Sequence, residues 1–425
     1  MNHSFKTRRD FLRTSALGAS AFGTVPLFLQ QAFAEAGATQ AGDGNGRILV
    51  VLQLAGGNDG LNTVVPYGDD AYHKARPQIK KSAKEILKLN DHVGLCDQLP
   101  FLHSMHGEGQ LAVVQGVGYP SPNRSHFVST SIWETADILN RSNTGWLGRY
   151  FDNNYVGDDP TVGVSLKETQ PEAFGALKNP GISLSTPELY RWIHGGGDDA
   201  LAEEFFAELN SPQEATGSSI EEVGKTGGVA GESNLAFLER VAQDARISSD
   251  KILSIASKHK PKVSYDGTGI SRSLNLVSRM IAGGLPTRVY YVSHGGFDTH
   301  QNQSGSHGRL LSQLDDSLKS FFTDLKEQGN SDRVTLMTFS EFGRRVGENA
   351  SGGTDHGKAS CLFVAGQPVK GGLYGEYPSL TDLDQGDLKH TVDFRSVYAT
   401  VIEDWLKGKA KPVVNGEFKK LGFIA

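Results

Sequence analysis

Four short, almost unbroken apolar runs punctuate the chain: residues 47–54 (RILVVLQL), 111–115 (LAVVQ), 288–293 (RVYYVS) and 334–339 (VTLMTF). Runs of this length and continuity are the pattern of strands covered on both faces, as in a largely parallel sheet. Residues 161–165 and 361–365 read as two further strands. Apolar positions recur at helical spacing over 310–326, with His307 opening that helix and facing solvent, so 288–339 reads as a βαβ unit. Shorter helices are expected from Ser125 to about Ala136 and over 394–406, where Asp393 is the N-cap. GWLGRY at 145–150 reads as a packed turn with an aromatic anchor.

The polar positions concentrate where these strands run out. Open α/β sheets bind ligands in the crevice outside the carboxyl ends of their strands. There the sequence places Asn58 and Asp59 after the first strand, Arg124, Ser125 and His126 after the second, Asp298 and His300 after the run at 288–293, and Glu341 and Arg344 after 334–339, with Asp355 and His356 following. Asp298 and His300 are two apart, so in extended chain they project to one side and can share a cation. Several carboxylates and imidazoles gathered in one crevice call for a compensating cation. The candidate metal ligands are therefore Asp59, Asp298, His300, Glu341, Asp355 and His356. Mixed oxygen and nitrogen donors suit zinc, manganese or iron, with magnesium or calcium at an oxygen-rich half. Ser125, at a helix start where free N–H groups favour an anion, is the candidate nucleophile, and Asn58, Arg124, His126 and Arg344 are the candidate substrate holders.

Composition narrows the class. Glycine supplies 51 of 425 residues, against an ordinary share of about 7 per cent, and most of it sits in the loops after strands, where backbone turns sharply or approaches a ligand. Residues 1–34 carry a twin-arginine motif (TRRDFLR), a weakly apolar stretch and an Ala-Phe-Ala cleavage signal, so export to the periplasm by the twin-arginine translocase is expected, with no stable membrane span. Removing that segment takes away four cations and one anion and moves the formal charge from −6 to −9, which argues against nucleic acid as a partner. Residues 35–46 are a polar linker and 47–425 one large domain. A charged, helical insertion over about 198–286 contains expected helices at 201–209, 233–257 and 270–281, around a polar interval, 211–231, that is either disordered or a mobile lid. Trp192, His194 and the glycines at 195–197 read as a loop against the core, with a pocket lining as the alternative. Cys96 and Cys361 are either free or one bridge.

The ordered motifs LAGGNDGLNTVVP, NRSHF, GWLGRY, GGFDTHQNQ, TFSEFGR and GGTDHG, which span nearly all of 47–425, resemble a family of exported bacterial proteins, the domain-of-unknown-function family numbered fifteen-oh-one. That family resembles the alkaline phosphatase and sulfatase superfamily. The resemblance implies a mixed, mainly parallel sheet sandwiched between helices with a bimetal site at the strand ends. It implies Asp59 as the first-strand metal carboxylate, Ser125 as the hydroxyl nucleophile, Asp298, His300 and His356 around one metal, and Glu341 at the second. Two departures stand out: the superfamily's Asp-His pair is Glu341-Phe342 here, and the Asp298-to-His300 spacing is shorter than usual. The expected function is metal-dependent hydrolysis of a small anionic phosphate or sulfate ester. A non-catalytic exported binding or assembly protein with at most one metal is the alternative.

Overall fold

Strand β1 (Ile48–Ala55) lies inside a nine-stranded sheet and pairs in parallel on both sides. The computed structural model describes residues 46–155, 159–184, 252 and 254–425. In spatial order the sheet runs from Gly372–Tyr374 (β8) through Leu111–Gly118 (β2), Ser360–Ala365 (β7), Val334–Phe339 (β6), β1, Val289–Gly295 (β5) and Gly163–Ser165 (β3) to Ile182–Ser183 (β4), with Val392–Asp393 (β9) beside β2. Only β7 runs against the rest, antiparallel to both β2 and β6. The fold is the expected mixed, mainly parallel sheet between helices.

The unbroken apolar runs are explained by burial on two faces. Ile48, Val50, Leu52 and Leu54 of β1 join one core with helices α1 (Pro100–Gly107), α4 (Gly269–Ala282) and α5 (Gln303–Gln328). The alternate residues Leu49 and Val51 join the other, under α2 (His126–Thr135), α3 (Trp146–Asn154) and α6 (Phe394–Thr400). All six are 0–3 % exposed, and each such side chain contributes roughly 1.5–3 kcal/mol on leaving water.

Several expectations change. Residues 145–150 are not a turn but open helix α3, because Trp146 is buried and stacks on Tyr398 at 4.3 Å between ring centroids. His307 does not face solvent: α5 begins earlier, at Gln303, and turns that imidazole into the protein. The βαβ unit exists, but β1 is inserted between its two strands. Helix α6 passes into a wider π turn over Val401–Trp405, with Asp393 capping its start through the Arg395 N–H. Helix α4 matches the expected 270–281, whereas the helix at 201–209, most of that at 233–257, the interval at 211–231, Trp192, His194, the glycines at 195–197, and residues 1–45 lie outside the described residues. Cys96 and Cys361 are both free thiols. Among the described residues no helix is long and apolar enough to cross a membrane.

Candidate metal centre

The carboxyl ends of β1, β2, β5 and β6 share one edge of the sheet, and the reversed strand β7 reaches the same edge by its amino end. That reversal lets a loop preceding a strand deliver His356 beside loops that follow strands. The loops press together closely. Gly56 has φ +121°, and a Cβ there would lie 2.4 Å from the Asp298 amide nitrogen; a Cβ on Gly57, φ +79°, would meet the Phe342 ring at 2.3 Å. Only glycine fits at either place. Behind them the loop carrying Arg344 pairs with the loop carrying His356.

Three histidines and an aspartate converge. His126, Asp298 and His356 each offer a donor atom, all within 4.8 Å of one another. His300 Nε2 is 2.9 Å from His356 Nε2, and both are 3.0 Å from Asp298 Oδ1. His126 Nε2 is 3.5 Å from Asp298 Oδ2.

The outer partners decide where the imidazole protons sit. His356 Nδ1 faces the Arg124 carbonyl oxygen at 2.9 Å, His126 Nδ1 faces Glu341 Oε1 at 2.9 Å, and His300 Nδ1 faces Asp355 Oδ1 at 3.3 Å. Carbonyls and carboxylates only accept, so each Nδ1 carries a proton, and in the neutral ring each Nε2 presents a lone pair. With all three rings neutral, three lone pairs point at an aspartate, an arrangement that a cation among the donors relieves. Donors about 3 Å apart are what neighbouring ligands adopt around a cation roughly 2.1 Å from each. The outer carboxylates and carbonyl complete the usual support of metal-binding histidines. The donor set therefore fits one divalent cation; three imidazoles with one carboxylate suit zinc, manganese or iron better than magnesium or calcium.

The charge around Asp298 is arranged to match. Burial would raise its carboxyl, but the hydrogen bond and charge of Arg344, 2.7 Å away, outweigh it and hold the pKa at about 2. The Phe342 ring lies 4.9 Å from the His126 ring and 4.6 Å from that of His356, an apolar wall on which both imidazoles rest.

The six expected ligands separate into two groups. Asp298, His300 and His356 are in the cluster, joined by His126, which sequence had placed with the substrate. Glu341 and Asp355 stand behind histidines instead. Glu341 is 2 % exposed; its Oε1 also accepts from the Gly56 N–H at 2.8 Å, while its Oε2 finds no hydrogen-bond partner among the described residues. The Asp355 carboxyl is held below its ordinary value by a hydrogen bond from Asn349, which also donates to the His300 carbonyl. Asp59 is outside the cluster. Its Oδ1 caps a short helix through Leu61, and its Oδ2 is bound by Arg76 at 2.5 Å and by Gln303, so no oxygen is left for a cation.

Two expected substrate holders are also committed elsewhere. Asn58 is 1 % exposed and accepts from Thr63 and from His307, whose Nε2 lies 2.9 Å away. Arg344 is fully covered, its guanidinium donating to the carbonyls of Gly56, Gly57, Phe297 and Thr354 as well as to Asp298, so it offers no fork to a ligand. Ser125 is exposed at the N-cap of α2 and its hydroxyl makes no capping bond. Arg124 turns its carbonyl to His356 and its guanidinium the other way, toward Asp387. Of the supports that sequence analysis missed, Phe342 was visible as a departure from the superfamily pattern and Asn349 as a loop asparagine; nothing in the sequence pointed to Arg76.

An α/β protein with a cluster of metal-type donors at the strand ends is thus defined. Residues 244–405 match the family described as "Protein of unknown function (DUF1501)", in agreement with the resemblance of the motifs. A search of curated proteins finds no match. Among solved structures the chain is similar to the PsFucS1 sulfatase from Pseudoalteromonas sp., with a TM-score of 0.39 and 12 % identity over 95 % of this chain and 76 % of that one. It is also similar to the phosphonate monoester hydrolase SpPMH from Silicibacter pomeroyi (TM-score 0.33, 10 % identity, 88 % and 76 % covered) and to alkaline phosphatase from the Antarctic bacterium TAB5 (0.29, 10 %, 77 % and 93 %). Likeness at this level says nothing of activity.

Proposed function

We propose that this protein is a periplasmic hydrolase of phosphate or sulfate esters, exported by the twin-arginine translocase, that works with one divalent cation held by His126, Asp298, His300 and His356. The observation that carries the reading is the set of three imidazole Nε2 atoms turned toward one aspartate. A bound cation would polarise the ester and offset the charge of its transition state. Glu341, Asp355 and the Arg124 carbonyl hold the imidazoles in the tautomer that such binding needs. Phe342 keeps water from one side of the rings.

Ser125 is the nucleophile in this reading. Its free, exposed hydroxyl stands between Arg124 and His126 at the start of α2, where unsatisfied N–H groups favour the anion of a substrate. Its Oγ forms the bond to phosphorus or sulfur as the alkoxide leaves in line, its proton passes to solvent, and water later releases the acid.

The test is elemental analysis of the full chain purified from its native host, with hydrolysis of 4-nitrophenyl phosphate and 4-nitrophenyl sulfate by wild type and Ser125→Ala. One equivalent of transition metal in both, with turnover only in wild type, supports the proposal. Protein without metal sinks it; equal turnover by both forms removes Ser125 from its role. Phe342, where the superfamily pattern has an imidazole, favours a second reading: a binding protein with one cation, which predicts metal and no turnover with either ester.

A further inference from the structure

Beside the cluster lies a cavity of about 280 Å³ whose walls include Tyr119, Ser121, Lys358, Asp384, Lys389 and His390. Two of its walls grow from segments already at the metal centre: Ser121 precedes Arg124 in the loop before α2, and Lys358 follows His356 by two residues. The third wall is the hairpin of Leu383–Asp384 with Asp387–Leu388.

Asp387 of that hairpin, next to the wall residue Leu388, is 0 % exposed, and among the described residues neither of its oxygens finds a hydrogen-bond donor. Two guanidiniums approach it without hydrogen-bonding to it, Arg124 NH1 at 3.6 Å from Oδ2 and Arg345 Nε at 3.4 Å from Oδ1, each side chain 37 % exposed. Among the described residues the Arg345 side chain makes one hydrogen bond, to the Gln385 carbonyl, and the Arg124 side chain makes none. A buried acid that draws two arginines together but leaves their N–H groups unused is a foundation for an anion, because guanidinium forks match phosphate, sulfate and carboxylate oxygens.

Lys358 and Lys389 add charge on the same side. Each is paired, at 2.5 Å, with Asp384 and Asp382, but those carboxylates are 48 % and 72 % exposed. Ion pairs so open to water hold weakly and give way to a better anion. Four cations stand here against three carboxylates, on a chain whose formal charge is −6.

We propose that the Arg124–Arg345 pair and the adjoining cavity, with Lys358 and Lys389 in its walls, form a second anion site, which holds a phosphate, sulfate or carboxylate group carried by the substrate away from the bond that is cut. It rests on the proposed ester hydrolysis for its role, but its binding chemistry uses arginine and lysine and needs no metal. Arg124 then serves the distant anion and not the scissile ester.

Two arms test it. In the first, full-length protein treated with chelator is titrated calorimetrically with inorganic phosphate. Saturable binding is expected; the double variant Arg345→Gln/Lys389→Gln should weaken it by about tenfold or more, and His300→Ala, which touches neither the cavity nor Arg124, should leave it unchanged. Absence of binding, or binding lost with His300→Ala and kept in the double variant, overturns the site. Thermal unfolding of the single variant Lys389→Gln, a half-exposed position, guards against loss of fold. In the second arm, with metal restored, KM for 1,4-phenylene bisphosphate should be lower than for 4-nitrophenyl phosphate, and the double variant should erase the difference. Equal KM values in wild type overturn the substrate role and identify the ligand as free phosphate. No turnover of either ester, with the first arm intact, would count against the proposed hydrolysis and not against the site.

Discussion

His126 Nδ1 lies 2.9 Å from Glu341 Oε1, the same buried oxygen that accepts the Gly56 N–H at 2.8 Å. One atom thus sets the tautomer of a cluster histidine and fixes the exit of the central strand. Glu341→Ala leaves both donors unsatisfied, which should cost about 1–3 kcal/mol for each and lower cation affinity by roughly 10–100-fold. Glu341→Gln keeps an acceptor and should fall between. The hydrogen bond that His126 donates to Glu341 also raises the His126 pKa against the effect of burial, so proton and cation compete: affinity should rise with pH, and the rise should come at lower pH in Glu341→Ala. Zinc titrations of chelated protein across pH read both effects. Superimposable curves for the two proteins would remove Glu341 from the site.

Arg344 binds the loops after β1, β5 and β6 to the loop before β7, through four carbonyls and Asp298. A lysine carries the charge but not the planar fork, so it reaches a fraction of these partners. Arg344→Lys should lose about 3 kcal/mol or more, since buried acceptors are stranded along with Asp298. Urea unfolding measures it. A stable variant that lost only affinity for substrate would return Arg344 to the anion-holding role expected from sequence.

The sheet was legible because its strands are covered on both faces, which writes burial into local composition: the run at 334–339 matches β6 residue for residue, and 47–54 matches β1 within one. Direction is not written that way. Nothing in residues 361–365 distinguishes the reversed β7 from its parallel neighbours, since both are equally apolar. The site residues were legible as types and not as roles. Asp59 and Asp298 sit in similar Gly-Asp loops, and what separates them is Arg76, a residue seventeen positions from Asp59 in a stretch without periodic signal. Likewise His126 and His307 look alike in sequence, but one faces a carboxylate and the other an amide, and only packing decides that.

The Asp59–Arg76 pair makes a sharp test. Burial would raise the Asp59 carboxyl, yet Arg76 wins and holds it below its ordinary value. Asp59→Ala leaves a guanidinium that is 0 % exposed facing no anion, and breaking such a pair destabilises by about 3–5 kcal/mol. The folded fraction should keep its full metal complement. Loss of metal with little loss of stability would instead make Asp59 a ligand, as the resemblance implied.

His307 should give the protein an acid-sensitive stability of its own. Burial lowers its pKa from 6.5 to about 4, and its neutral ring lies 2.9 Å from Asn58 Oδ1, to which Nε2–H donates. The unfolded chain takes up a proton as pH falls through 6.5, whereas the folded protein resists until about 4, so the unfolded state binds more protons throughout that window. Stability is therefore fully present above 6.5 and lost as pH falls toward 4, by about 3 kcal/mol from this residue. Other groups titrate in the same range, which makes the useful quantity a difference. His307→Gln keeps a donor for Asn58 but cannot titrate, so chelated wild type should lose about 3 kcal/mol more than the variant between pH 7 and 4. Urea unfolding at the two pH values, on both proteins, measures it; parallel losses would mean that the imidazole is hydrated or charged in the folded state, against the buried position found for it.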